Sequence, residues 1–286
     1  MILKKNAYKW HRWFSVMAII PLTMWAASGL IHQAGAWFKP QFNKDSRVIA
    51  SGLSESEKIS SVIKNRYSED AGIETTKEIT AFNHEYPARN KVLPVYQVAL
   101  ASQDNTTLYV DLTGGSIVSG SNDAGRSIHK WFGYLHKLSF LDSFPAAKAA
   151  VMILFSLVTL LSGWLGIYLY FLLPAFDKRL ISTMKQREKH WHRRIGIATS
   201  VFMLLFAFTG LTHIVAKLYP GFQSVEKPFF DALHMYRFTE AISSSFRFWW
   251  LFAVSAFLLL LVFSGLILLI RKMNRNRVTA KSIRTV

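Results

Sequence analysis

Four long apolar runs punctuate this chain of 286 residues, at about 13–37, 147–172, 193–218 and 247–270. At about 1.5 Å of rise per residue, each is long enough to cross a hydrocarbon layer roughly 30 Å thick. The last run carries no charge between Arg247 and Arg271. Four buried helices of a water-soluble protein are the alternative, and that uncharged stretch argues for the membrane. The pattern between runs differs. Segment 40–125 is polar and mixed in charge. Ser54-Glu55-Ser56-Glu57 has the form of a capping box and predicts a helix over about 54–68, with Ile59, Val62 and Ile63 on its apolar face. Strand-like runs follow at 77–83, 94–101 and 106–112. Leu108, Val110 and Leu112 alternate with polar neighbours, and Thr113-Gly114-Gly115-Ser116 makes a hairpin turn into Ile117-Val118. The expected architecture is an all-α four-helix transmembrane bundle with a small inserted α+β domain.

Charge sets an orientation. The segments 1–13, 174–194 and 271–286 carry seventeen basic residues against only Asp177 and Glu188, and so hold nearly all of the net +17. A basic total of this size could indicate nucleic-acid binding. Its confinement to one side of a four-helix zigzag is the positive-inside pattern instead, and no nucleic-acid partner is expected. Both termini and the 174–194 loop are placed in the cytoplasm, with 39–146 and 219–246 outside. The divisions are 1–39 (first span), 40–125 (outer domain), 126–173 (juxtamembrane helix and second span), 174–192 (cytoplasmic loop), 193–246 (third span and outer loop) and 247–286 (fourth span and basic tail). Ala34-Gly35-Ala36 resembles a signal-peptide cleavage site. The first run is longer than a typical signal core, however, and its copy lies deep in the chain, so it is read as the first span.

The copy is an internal repeat. Trp10-His11-Arg12 and Gly29-Leu30-Ile31-His32 recur 181 positions later as Trp191-His192-Arg193 and Gly210-Leu211-Thr212-His213. The second halves match with a gap: Leu135-His136 and Ser162-Gly163 against Leu233-His234 and Ser264-Gly265. Helices one and three both run outward, so the pairs 1–2 and 3–4 read as two parallel repeats. Every span carries Ser/Thr-Gly: Ser28-Gly29, Ser162-Gly163, Thr209-Gly210 and Ser264-Gly265. Ordinary small-residue helix packing accounts for some of these; glycine would also let a flat macrocycle lie against the backbone.

His11 and His32 are 21 residues apart, about 31 Å along a helix and within roughly 60° of the same face. One imidazole therefore lies near each membrane surface. The repeat pairs His11 with His192 inside and His32 with His213 outside; His136 and His234 also fall at the outer boundary. Paired imidazoles from facing helices suit a low-spin b-type haem. The chain has no cysteine, so neither a Cys-x-x-Cys-His attachment nor a cysteine-held iron–sulfur cluster is available. The alternatives are interfacial histidines, such as the surrounding tryptophans favour, or a metal-transport accessory. Transport would favour carboxylates within the spans, and the four apolar runs contain none. His129 and His190 have no repeat partner, and His84 is read as a surface residue of the outer domain.

Trp10-His11-Arg12-Trp13, Ser28-Gly29-Leu30, Leu135-His136-Lys137, Ser162-Gly163, His192-Arg193 and Thr209-Gly210-Leu211 resemble the PepSY-associated transmembrane family. Val95-Tyr96-Gln97-Val98, Leu108-Tyr109-Val110-Asp111 and Thr113-Gly114-Gly115 are similar to the PepSY strand and hairpin. The family includes ferrisiderophore reductases and iron-regulated proteins of the bacterial inner membrane. The resemblance implies haem-bearing helical cores passing electrons to ferric chelates outside, with the PepSY-like domain periplasmic. Many members have a glycine-bearing turn where this chain has Leu141-Asp142-Ser143-Phe144-Pro145.

The expected function is a di-haem b-type reductase. His11 and His192 hold an inner haem. His32 and His213 hold an outer one, with His136 and His234 as competitors. No Gly-x-Gly-x-x-Gly fingerprint follows a strand, so the donor is a quinol or a separate protein. The substrate is a ferric, siderophore-type chelate. A membrane-anchored binding or regulatory module is the non-enzymatic alternative.

Overall fold

The computed structural model describes residues 2–43, 45, 52–83, 85–87, 90–172, 184–218, 227–234 and 242–284. It contains seven α-helices and a four-stranded sheet among these residues: α1 (Ile2–Phe38), α2 (Glu55–Arg66), β1 (Ile73–Ile79), β2 (Val95–Leu100), β3 (Thr107–Asp111), β4 (Ser116–Ser121), α3 (Asp123–Lys137), α4 (Pro145–Leu172), α5 (Met184–Leu218), α6 (Lys227–His234) and α7 (Ser244–Arg284). The chain divides into two units, one of residues 1–33 and 132–286 and the other of residues 34–131.

The first unit is helical. Four of its segments are long and apolar enough to cross a membrane: Asn6–Gly35, Pro145–Leu172, Arg187–Leu218 and Ser245–Asn274. Apolar residues at every fourth position build its centre. Ala18, Leu22 and Ala26 of α1 meet Val254, Leu258 and Val262 of α7, joined by Val158 of α4 and Met203 of α5. Spacing of four keeps each trio on one helix face. A Cβ on Gly163 would sit 2.5 Å from Met203 Cε and 3.1 Å from Leu204 Cδ2. The missing side chain is what lets α4 and α5 approach closely. The expected loop 174–192 is shorter than the charge pattern implied, because 184–192 already belong to α5. Charged residues at a helix end projecting from the apolar layer satisfy their own backbone bonds, so polarity does not mark the helix boundary there.

The second unit is the α+β domain. Ser54 caps α2: its hydroxyl lies 3.4 Å from the Glu57 amide, and Glu57 returns to the Ser54 amide at 2.8 Å. The sheet is antiparallel, in the order β1-β2-β3-β4. One face carries Val98, Leu100, Leu108, Val110 and Ile117 and is covered by Ile59, Val62 and Ile63 of α2. The other gathers Ile79, Tyr86, Val95 and Tyr109. Both faces of β2 are thus partly covered, which explains its near-continuous apolar sequence. The Thr113–Ser116 turn joins β3 to β4 as expected, with Gly115 at φ 58 and Asp111 accepting from the Thr113 amide at 2.8 Å.

One strand lies elsewhere than the pattern indicated. The run at 77–83 is replaced by β1 at 73–79, where six of seven residues are exposed. An edge strand exposed on both faces has no period-2 apolar signal to read. Phe82 gave the later run its apolar character, but it lies beyond the strand and stacks on Tyr86 at 6.1 Å.

Candidate functional site

The Ser/Thr-Gly pairs and the histidines are hydrogen-bond partners. Toward the N-terminus of α1, His11 Nδ1 meets the Ser162 carbonyl of α4 at 3.2 Å. Toward the N-terminus of α5, His192 Nδ1 meets Ser264 Oγ of α7 at 2.8 Å. At the opposite end, His136 Nδ1 of α3 lies 3.0 Å from Ser28 Oγ of α1, and His234 Nδ1 of α6 lies 2.9 Å from Thr209 Oγ1 of α5. Each Ser/Thr-Gly pair therefore receives one imidazole from another helix.

These contacts fix the tautomer. A carbonyl only accepts, so His11 Nδ1 must donate to Ser162. A hydroxyl could do either, but each of the other three has already spent its proton on a backbone carbonyl. Ser28 donates to Trp25 at 2.7 Å, Thr209 to Leu205 at 2.7 Å, and Ser264 to Leu261 at 2.8 Å. Each can only accept from its histidine. All four imidazoles thus carry their proton on Nδ1 and a lone pair on Nε2. That is the arrangement of a metal-ligating histidine, whose second ring nitrogen is normally held by a hydrogen bond of this kind. Burial, followed by the neighbouring His234, Lys137 and His32, pushes His136 down to about 3, so its ring is neutral, the ligating form.

Glycine lies beside three of these rings. A Cβ on Gly166 would stand 3.3 Å from His11 Cε1, one on Gly265 3.5 Å from His192 Cε1, and one on Gly210 3.8 Å from His234 Cε1. The glycines bring each ring against a neighbouring backbone. Sequence reading found Gly163, Gly210 and Gly265 but missed Gly166, four residues beyond Ser162. It also missed the role of the hydroxyls; their recurrence one residue before a glycine in every span was the available signal.

The two ends differ in histidine content. At the His11 end, Ser15 Oγ joins Ser162 Oγ at 2.9 Å. At the other end a row of rings forms. His32 lies 4.7 Å from Phe132, which stacks on His136 at 4.8 Å and 12°. His136 is 5.9 Å from His234, and His234 is 5.2 Å from His213. His213 Nδ1 donates to the Thr209 carbonyl of its own helix at 2.7 Å. Thr209 therefore holds His234 through its hydroxyl and His213 through its carbonyl. His234 thus lies between His136 and His213, with its ring tilted by 60° to the first and 46° to the second, and His32 lies beyond Phe132. Among the described residues no three His, Asp or Glu side chains converge as a metal-ion cage.

Of the remaining histidines, His129 lies in α3, His190 lies in α5 two residues before His192, and His84 lies outside the described residues. Arg193, next to His192, donates to the Tyr170 carbonyl at 2.6 Å and sits 4.7 Å over the Tyr170 ring. It ties α5 to the last turn of α4. Arg271 pairs with Glu188 at 2.6 Å and ties α7 to the same end of α5.

No curated protein and no solved structure matches the chain. The family model described as the PepSY-associated TM region matches residues 8–229. With membrane-spanning helices, an inserted α+β unit and that match over most of its length, the chain belongs to the PepSY-associated transmembrane family.

Proposed function

We propose that this protein is a di-haem b-type membrane reductase that passes electrons to a periplasmic ferric, siderophore-type chelate. The observation that carries this reading is the common state of His11, His192, His136 and His234. Each gives its Nδ1 proton to a small residue of another helix and keeps an Nε2 lone pair. Two histidine pairs, one toward each end of a bundle, fit two bis-imidazole groups, and the glycines admit three of the rings against a neighbouring backbone. That each of His11 and His192 reaches the Ser-Gly pair of the spanning helix that follows it in its own half supports two parallel repeats.

His11 and His192 are assigned to one haem, and His136 and His234 to the other. His32 and His213, the pair first expected from spacing, are assigned to the surround of the second. A bound haem supplies one-electron chemistry at its iron. The chain's own part is to orient each imidazole through Ser162, Ser264, Ser28 and Thr209 and to surround it with packed apolar side chains that exclude water. Without cysteine the attachment is noncovalent. The positive-inside distribution supports a reading in which the His11 end is cytoplasmic and the α+β unit is periplasmic in an inner-membrane protein, where that unit docks substrate or controls access. The electron donor is a quinol or a separate protein.

The test is reduction of a ferric chelate, followed with a ferrous-specific chromophore, by purified protein reconstituted in vesicles and supplied with quinol or dithionite. Turnover that disappears in His136→Ala and His11→Ala supports the reading. Haem-free protein that turns over no chelate rejects it.

A further inference from the structure

We infer that Ser15 and Gly166 make the two histidines of the first end inequivalent, giving His11 a carbonyl acceptor where His192 has a hydroxyl. The sequence repeat predicts equal environments, with Ser162-Gly163 and Ser264-Gly265 in matching places. The structure departs from that. His192 donates to Ser264 Oγ at 2.8 Å, whereas His11 donates to the backbone carbonyl of Ser162 at 3.2 Å.

Two differences between the halves account for this. First, Ser15 engages the Ser162 hydroxyl at 2.9 Å and stands 3.5 Å from His11 Nδ1. At the repeat's offset the second half has Gly196, which offers no hydroxyl, so Ser264 keeps its own for His192. Second, His11 rests against Gly166, whereas His192 rests against Gly265. Gly166 lies four residues beyond Ser162, while Gly265 immediately follows Ser264. Helix carbonyls point toward the C-terminus and side chains toward the N-terminus. A ring placed nearly a turn further along therefore meets the carbonyl of Ser162 instead of its hydroxyl. A side chain at 166 would cover that carbonyl; its Cβ would already be 3.3 Å from His11 Cε1. The position equivalent to 166 by the Ser162/Ser264 alignment is Leu268, which has no such opening.

A hydrogen bond from Nδ1 raises the basicity of a ligating imidazole, and here the two bonds differ in acceptor and in length, 3.2 Å to a carbonyl and 2.8 Å to a hydroxyl. Ser15 is thus a positioning residue acting through His11. In the reading proposed above, on which the second arm of the test rests, it gives the two histidines of the first pair different donor strengths and so takes part in setting the potential of that haem.

The first arm needs no haem. Nitrogen-15 histidine-labelled apoprotein in detergent is compared as wild type, Ser15→Gly and Ser15→Thr, with His11→Gln and His192→Gln assigning the two Nδ1–H signals. Two distinct signals are expected in wild type. They should converge in Ser15→Gly, by movement of the His11 signal alone, and remain apart in Ser15→Thr. Coincident signals in wild type, or an unmoved His11 signal in Ser15→Gly, would overturn the inference. In the second arm, redox titration of haem-loaded protein should show one midpoint potential shifted in Ser15→Gly and the other unchanged. An unchanged pair of potentials overturns the tuning role. Protein that takes up no haem rejects the di-haem reading, while the first arm still decides the inequivalence.

Discussion

Ser28 Oγ lies 3.0 Å from His136 Nδ1 while giving its own proton to the Trp25 carbonyl. That second bond makes Ser28 an acceptor and fixes which nitrogen of His136 is left open. Ser28→Ala is therefore expected to leave His136 in place but unheld. Loss of a ligand's supporting hydrogen bond commonly costs about 10–100-fold in affinity. Haem retention by Ser28→Ala through repeated dilution in detergent, measured by Soret absorbance per protein, should fall by that order. Wild-type retention would contradict the role of Ser28.

Thr209 gives a sharper case. Its hydroxyl serves His234 at 2.9 Å and its carbonyl serves His213 at 2.7 Å. Thr209→Val keeps the shape and the carbonyl, and removes only the hydroxyl. It should weaken haem retention to about the same degree as Ser28→Ala, within the same 10–100-fold range. Thr209→Ser should restore it. Equal loss in both variants would show that packing, not the hydrogen bond, matters at this position.

In the α+β unit, Asp104 accepts from Ser102 and Thr106 at 2.8 Å each and from Asn122 at 3.0 Å. Asn122 in turn accepts from the Gly125 amide at 2.9 Å and caps α3. Hydrogen bonds from Thr106, Ser102 and Asn122 hold the Asp104 carboxyl below its ordinary value. A depressed carboxylate stabilises the fold above its unfolded pKa of about 3.9, and this contribution is lost as pH falls through the folded value. Wild type should therefore lose stability faster than Asp104→Asn on acidification below about pH 4. Circular dichroism melts at pH 7 and pH 3.5 check the difference between the two slopes.

Ser54 closes the N-terminus of α2 through the reciprocal pair with Glu57. Ser54→Ala should cost about 1 kcal/mol, read as a lower denaturation midpoint, and Ser54→Asp should restore most of it. A neutral Ser54→Ala would mean that α2 is held by Ile59, Val62 and Ile63 alone.

The membrane helices were legible because their signal is crude: length, apolarity and absence of charge suffice. The Ser54 cap and the β3–β4 hairpin were legible because both depend on local chemistry. β1 was displaced because an edge strand reading Ile-Glu-Thr-Thr-Lys-Glu-Ile has no buried face to leave a pattern. The histidines could be found from the repeat, but their pairing could not. Spacing along one helix favoured His32 and His213, since those two share the clean copy of the motif. Only the fold shows that α3 and α6 bring His136 and His234 within 5.9 Å of each other, with Phe132 set between His32 and His136. Ser15 and Gly166 were invisible for a related reason. A repeat draws attention to what is equal between its halves, and these positions matter where the halves differ.

The most direct measurement is haem content by pyridine haemochrome, with a reduced-minus-oxidised spectrum, on purified wild type, His11→Ala, His136→Ala and His32→Ala. Two b-type haems per chain are expected in wild type, one in His11→Ala, one in His136→Ala, and two in His32→Ala. A wild type without a Soret band contradicts the account outright. Loss of a haem in His32→Ala but not in His136→Ala would contradict the assignment of the second pair.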